Sequence, residues 1–379
     1  MAKDIVFVLH GIGQYAPDWI DEESCAVVAL REAAKQYVFF EGRTLDSFVE
    51  FVPIVYDDVF QRIMEHWKKL ADGLTSAIPV MPSFMKETLQ LMTGATKSDW
   101  AHTHGADIAL YWGFRLFQQR IVLRVLAQMT RKIADTINQP NGKPHYHVLA
   151  HSLGTAVAHD ALHHLGTEAW LERLKETEFA DDDADAAVAE RDSYVDAVAR
   201  LRQRDSNPLN PQRFKFESIT MLSNVSALVH PSTSPYHSIV RPGSSHDLGA
   251  YAQNYFNVNH KFDPVSLAGN FSMPDAWKMM GGFDTQVDHC YKDPKNVHDA
   301  AHYVRNPRVH LPLLTFYVNA YSPTQKDVDQ IGVFEKACKK ELTEQAKKQL
   351  VQLAAGKTGD IGKLLSVIVA FKRAADAVS

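Results

Sequence analysis

From residue 145 to residue 162 the chain reads His145-Tyr-His-Val-Leu-Ala-His-Ser-Leu-Gly-Thr-Ala-Val-Ala-His-Asp-Ala-Leu: an apolar run, a small-x-Ser-x-Gly turn, then small and apolar residues at helical spacing. A buried strand that passes straight into a helix has to reverse within one or two residues, so the positions flanking the turn must be small. Ala150 and Gly154 meet that need, and Ser152 is left at the apex with its hydroxyl off the end of a strand. The first backbone N–H groups of such a helix have no helical partners and lie at the positive end of its dipole, so they favour negative charge forming beside the serine. The competing reading is an ordinary glycine turn with an idle serine. The five-residue pattern recurs by chance, and the strand–turn–helix setting is what makes it informative.

Other short apolar runs rich in β-branched residues alternate with helical patterns: Ile5 to Leu9, Phe48 to Tyr56, Ile219 to Ser223 and Tyr255 to Asn259. Strands separated by helices imply an α/β chain with a mostly parallel sheet flanked by helices on both faces. Asp21 to Val38, with Val27, Val28, Leu30, Ala34 and Tyr37 at helical spacing, is expected to be the first crossover helix.

Two stretches exceed a minimal sheet sandwich. Residues 59–138 contain the apolar, methionine-rich, proline-broken segment around Pro79 and Pro82, which fits either a cap over an apolar pocket or an extra buried helical layer. Residues 167–210 carry Glu178-Phe-Ala-Asp-Asp-Asp-Ala-Asp, expected as a charged, solvated helical insertion. The run lacks the glycine and terminal glutamate of a calcium loop. After Tyr321 the pattern is helical only, with Ile331, Phe334, Cys338, Leu342, Leu350 and Leu353 along one face. One main domain, 1–321, with a C-terminal helical extension, 322–379, is therefore expected. The extension's apolar faces allow packing, dimer contact or peripheral membrane contact.

The chemistry around Ser152 needs further parts. Acyl transfer builds charge on one oxygen, and two backbone donors aimed at it contribute about 3 kcal/mol each. Leu9-His10-Gly11-Ile12-Gly13-Gln14, directly after the first strand, is a loop whose glycines let amides turn inward. A general base needs an imidazole, and that imidazole needs an acid. Asp263 stands in Lys261-Phe-Asp-Pro-Val, where a strand-like run ends at a proline. The histidines after it are His289, His298, His302 and His310.

Serine, acid and histidine in that chain order, behind a His-Gly loop, resemble the α/β-hydrolase superfamily over residues 1–321, and its bacterial lipases and esterases most. The alanine at position 150 replaces the usual first glycine. The resemblance implies an α/β-hydrolase fold, Ser152 as nucleophile and Asp263 as acid. The Asn296-to-Pro307 segment, where a histidine precedes a tyrosine-bearing helix, points to His298 as base, with His302 and His289 as alternatives. It also implies oxyanion donors at Ile12 and Leu153, with His10, Gly11, Gly13, Gln14 and His151 near the substrate. The reaction implied is hydrolysis of a small-molecule or lipid carboxylic ester through a covalent acyl-enzyme, without a cofactor. Thioesterase, acyltransferase and amidase chemistry on the same triad stay open, as does an inactive binding protein on this fold.

Metal catalysis is the reading from another class. His102-Thr-His104-Gly-Ala-Asp107 approaches a metallo-β-lactamase signature, but the aspartate falls one residue late and Ile108 stands where a histidine is needed. His159 and His163 lack the glutamate of H-E-x-x-H, so no metal is expected. A net charge of −5 leaves no global positive field for nucleic acid. Three scattered cysteines with no CxxC pair fit a reducing, cytoplasmic setting. The N-terminus reads as a strand rather than a signal peptide, and no run reaches the roughly 18 uncharged apolar residues of a transmembrane helix. Oligomeric state is left undetermined by these patterns.

Overall fold

Alternate residues of β1 (Asp4–Leu9) face opposite ways: Ile5, Phe7 and Leu9 enter one hydrophobic layer, Val6 and Val8 another. A strand apolar on both faces belongs inside a sheet covered on both sides. The computed structural model describes residues 2–11, 18–59, 115–140, 142–165, 167–177, 184–203, 209, 214–229, 238–243, 250–260, 263, 266, 271–287 and 298–337. In it β1 joins β2 (Val49–Ile54), β3 (Tyr146–His151), β4 (Phe216–Leu222), β5 (Ala252–His260) and β6 (Gly282–Val287) in a six-stranded, all-parallel sheet ordered β2-β1-β3-β4-β5-β6. The chain is therefore of the α/β class.

Five of the strands match apolar runs in the sequence. The sixth, β6, reads Gly-Phe-Asp-Thr-Gln-Val and pairs only with β5, leaving Phe283, Asp284 and Gln286 exposed. An edge strand need not be apolar, which is why its sequence does not announce it. Pro53 lies in β2, at the opposite edge, where one missing N–H is tolerated.

One face is covered by α1 (Ala26–Ala34), α6 (Ala300–Arg305) and α7 (Pro307–Tyr317), which contribute Leu30, Tyr303, Val304, Leu313 and Tyr317. Where sequence spacing implies one helix over 21–38, the structure has 3₁₀ turns at Trp19–Asp21 and Val38–Phe40 flanking α1, whose first turn is capped by the Cys25 thiol. The other face is covered by α2 (Arg115–Thr136), α3 (Leu153–His164), α4 (Glu168–Glu176) and α5 (Ala184–Arg202).

Helix α2 lies within the stretch that composition marks as cap or buried layer. Its Val125, Leu126, Met129 and Ile133 are fully buried in the core, and residues 60–114 of that stretch lie outside the described residues. The charged insertion includes α5, which buries Tyr194, Val198 and Leu201, while Glu190 pairs with Arg120 at 3.0 Å and Arg124 at 2.5 Å on α2. Residues 178–183 of its acidic run are outside the described residues, and Asp185, the run's last acid, is exposed in the first turn of α5. Beyond Tyr321, 325–337 is helical, Ile331 packs against the α1–α7 layer and Phe334 is half-buried; the apolar positions from Cys338 onward are outside the described residues. Among the described residues no helix is long and apolar enough to cross a membrane.

Two core histidines make this fold acid-sensitive. Burial pushes His147 down to about 3, with His145 adding to the effect, and burial takes His310 to about 4 against the Val304 carbonyl, to which its Nδ1–H donates. Both stay neutral in the folded chain while the unfolded chain protonates near 6.5, so the unfolded state binds more protons over this window. Stability is full above about pH 6.5 and falls as pH drops towards 3–4. By pH 5 each histidine is expected to cost roughly 2 kcal/mol. Melting temperatures measured from pH 7.5 to 5 should fall, and less steeply in His147→Gln; an unchanged slope in that variant would refute the assignment.

Candidate active site

The chain passes from β1 to β2 on one side, then returns across β1 to place β3 on the other. Between β1 and β3 the connections leave in opposite directions, which opens a crevice at their carboxyl ends. His10 and Gly11 follow β1 there, and Ser152 follows β3.

Ser152 occupies φ 54°, ψ −129°, a region non-glycine residues rarely enter. The turn is held from several sides. Its N–H donates to the Leu222 carbonyl at 3.0 Å, its own carbonyl accepts from the Thr155 N–H and hydroxyl, and the Thr155 hydroxyl accepts from Val225 N–H. Gly154 is required by close approach: a Cβ there would lie 2.3 Å from the His10 carbonyl oxygen, backbone that cannot yield. At Gly11 a Cβ would come within 2.8 Å of Ser152 Cβ, so the loop after β1 touches the turn only because glycine is present.

His298, just before α6, brings the separate pieces together. Its Nε2 lies 2.7 Å from Ser152 Oγ and its Nδ1 lies 2.7 Å from Asp263 Oδ2, the aspartate standing beyond β5. Asp263 is fully buried. Burial alone would push its carboxyl up, but the charge and hydrogen bond of His298, with hydroxyls from Tyr303 and Ser223, hold it well below the usual carboxylate range. An ionised carboxylate only accepts, so Nδ1–H donates to it. Nε2 is left with the lone pair that accepts the serine proton. The His298 position is fixed by its neighbour, because Asp299 caps α6 by accepting from Ala301 N–H.

Ser152, Asp263 and His298 are thus brought into one hydrogen-bonded line. His302 stands one turn further along α6, away from that line's two bonds, and His289 lies outside the described residues. Leu153 begins α3, so its N–H lies in the first turn, outside the helix's own bonds. Ile12, Gly13 and Gln14 lie outside the described residues. His10 is buried, stacked on Tyr56 at 4.2 Å and edge-on to Trp19, with Nδ1 2.7 Å from the Gly11 carbonyl and Nε2 3.3 Å from Asp57. Burial drives it down to about 4. The His151 ring lies 4.6 Å from that of His298.

Three residues of the site escape the sequence reading: Ser223, Ser266 and Tyr303, all buried and all within hydrogen-bond reach of Asp263 Oδ2. The available signal was positional. Ser223 immediately follows β4, the strand between those that carry Ser152 and Asp263.

Chemically, this line can take the proton from a serine hydroxyl as the oxygen attacks and return it to a leaving group. Among the described residues no group of three or more histidine, cysteine or acidic side chains could hold a metal ion. Compared with known proteins, the chain matches no family model, no curated protein and no solved structure.

Proposed function

We propose that this chain is a serine hydrolase of the α/β-hydrolase type that cleaves a carboxylic ester through an acyl-enzyme. One observation carries the reading: the hydrogen-bonded line from Ser152 through His298 to buried Asp263, with the serine on a backbone turn of positive φ. Strain of this kind is retained where surrounding structure enforces it, and here it puts Oγ beside the imidazole.

In the proposed reaction Ser152 Oγ attacks the ester carbonyl carbon while His298 Nε2 accepts its proton. Asp263 stabilises the imidazolium. The oxyanion is held by Leu153 N–H at the start of α3 and by an amide of the loop after Gly11, with Ile12 as the proposed donor. The tetrahedral adduct collapses, the C–O bond to the alcohol breaks, and His298 passes its proton to the departing oxygen. Water, deprotonated by the same imidazole, then releases the acid and frees Ser152.

The choice of an ester rests on the likeness of the His10-Gly11 loop and the Ser152 turn to lipases and esterases. A fluorophosphonate probe should attach to Ser152, located by peptide mass spectrometry, and p-nitrophenyl esters should be turned over faster than the matching thioesters or anilides. A folded chain that stays unlabelled would sink the hydrolase reading in favour of a binding protein. Preferred turnover of the thioester would move the substrate class alone.

A further inference from the structure

We propose that Tyr303 is a positioning residue of this site: with Ser223 and Ser266 it closes a ring of hydroxyls on Asp263 that fixes the carboxylate and moderates its hold on the His298 proton. The proposal rests on the hydrolase reading above for its catalytic consequence, though not for its geometry.

Proton accounting supports the ring. Asp263 Oδ2 accepts from His298 Nδ1–H, from the Tyr303 hydroxyl at 2.5 Å and from the Ser223 hydroxyl at 2.9 Å. Those two hydroxyls have thereby committed their only protons. Ser266 Oγ lies 3.0 Å from Ser223 Oγ and 2.9 Å from the Tyr303 oxygen, so its one proton goes to one of the two while it packs against the other.

A buried phenol is costly unless its hydroxyl is bonded, and Tyr303 is fully buried with that hydroxyl aimed at Asp263. Packing alone would be served by phenylalanine. Ser223 has φ 51°, beside Ser152 the one other non-glycine residue of positive φ among the described residues. A second strained serine next to the first, aimed at the acid, is hard to attribute to packing. Helix α6 carries both ends of the device, with His298 just before its start and Tyr303 within it. The ring therefore ties the acid to the element that positions the base.

A carboxylate that shares its charge among several donors exerts a weaker pull on the imidazole proton. Losing the Tyr303 hydroxyl should return charge to the His298 side and make that histidine harder to deprotonate. The other ionisable groups around it are His151 on β3, His260 at the end of β5, and Asp299 and His302 at α6. None of these is altered by Tyr303→Phe or Ser223→Ala.

The test is the titration of the His298 side chain by NMR in the full chain without substrate, in wild type, Tyr303→Phe and Ser223→Ala, each checked for folding by circular dichroism. The titration should move up by about half a pH unit in each variant. The acid limb of kcat/KM should move with it, kcat should fall about tenfold and KM should hold. If folded variants titrate with wild type, the ring is only packing and the proposal falls. Should Tyr303→Phe not fold, Ser223→Ala decides. Because the titration is read without substrate, the two readings fail separately. An unlabelled chain with a shifted titration loses the hydrolase reading, and a labelled chain with an unmoved titration loses the ring.

Discussion

Ser152→Ala should reduce ester turnover by roughly 10⁵- to 10⁶-fold while leaving the melting temperature close to that of wild type. The hydroxyl is the only atom lost, and its one bond to a partner side chain is to His298 Nε2. The turn itself is held by backbone and Thr155 bonds that alanine keeps. Turnover remaining would come from the oxyanion donors and substrate binding alone. The measurement is kcat on a p-nitrophenyl ester beside a thermal melt, and wild-type-like kcat would exclude Ser152 as nucleophile. Alanine retains L geometry at positive φ, so any stability change should be small relative to the loss in rate.

The second large effect concerns the choice of base. His298→Ala should cost nearly as much as Ser152→Ala, and the double variant little more than either, because the two side chains act as one unit. His302→Ala and His289→Ala should keep at least a tenth of wild-type kcat/KM, since hydrogen bonds reach Ser152 and Asp263 from His298. Steady-state kinetics on these four variants separate the alternatives that the sequence leaves open. An inactive His302→Ala with an active His298→Ala would overturn the assignment.

How much of this was legible without coordinates can be judged residue by residue. Ser152 was visible because local chemistry forces it: small residues at positions 150 and 154 flank a turn between two strongly patterned elements. Asp263 and His298 were singled out through the resemblance to α/β-hydrolases, Asp263 before a proline that ends a strand-like run and His298 ahead of a tyrosine-bearing helix, with His302 and His289 left as alternatives. Ile5 to Leu9 read as a strand because both its faces are apolar, and the structure buries both. The edge strand β6 was not visible, since a strand with one neighbour and three exposed side chains carries no apolar signature.

The limit is set by range. Patterning over a few residues encodes what neighbours along the chain impose on one another, so the sequence alone determined the alternation of strands and helices, the turn at Ser152 and the short list of acids and histidines. Which histidine meets Ser152, and that Ser223 and Tyr303 converge on Asp263, depends on contacts between residues 40 to 146 positions apart, fixed only by strand order and helix placement. A hydroxyl buried beside a carboxylate looks in sequence like any other serine or tyrosine. Only the folded sheet, which places the ends of β3, β4 and β5 side by side, brings these groups together and removes the water that would otherwise compete for their bonds.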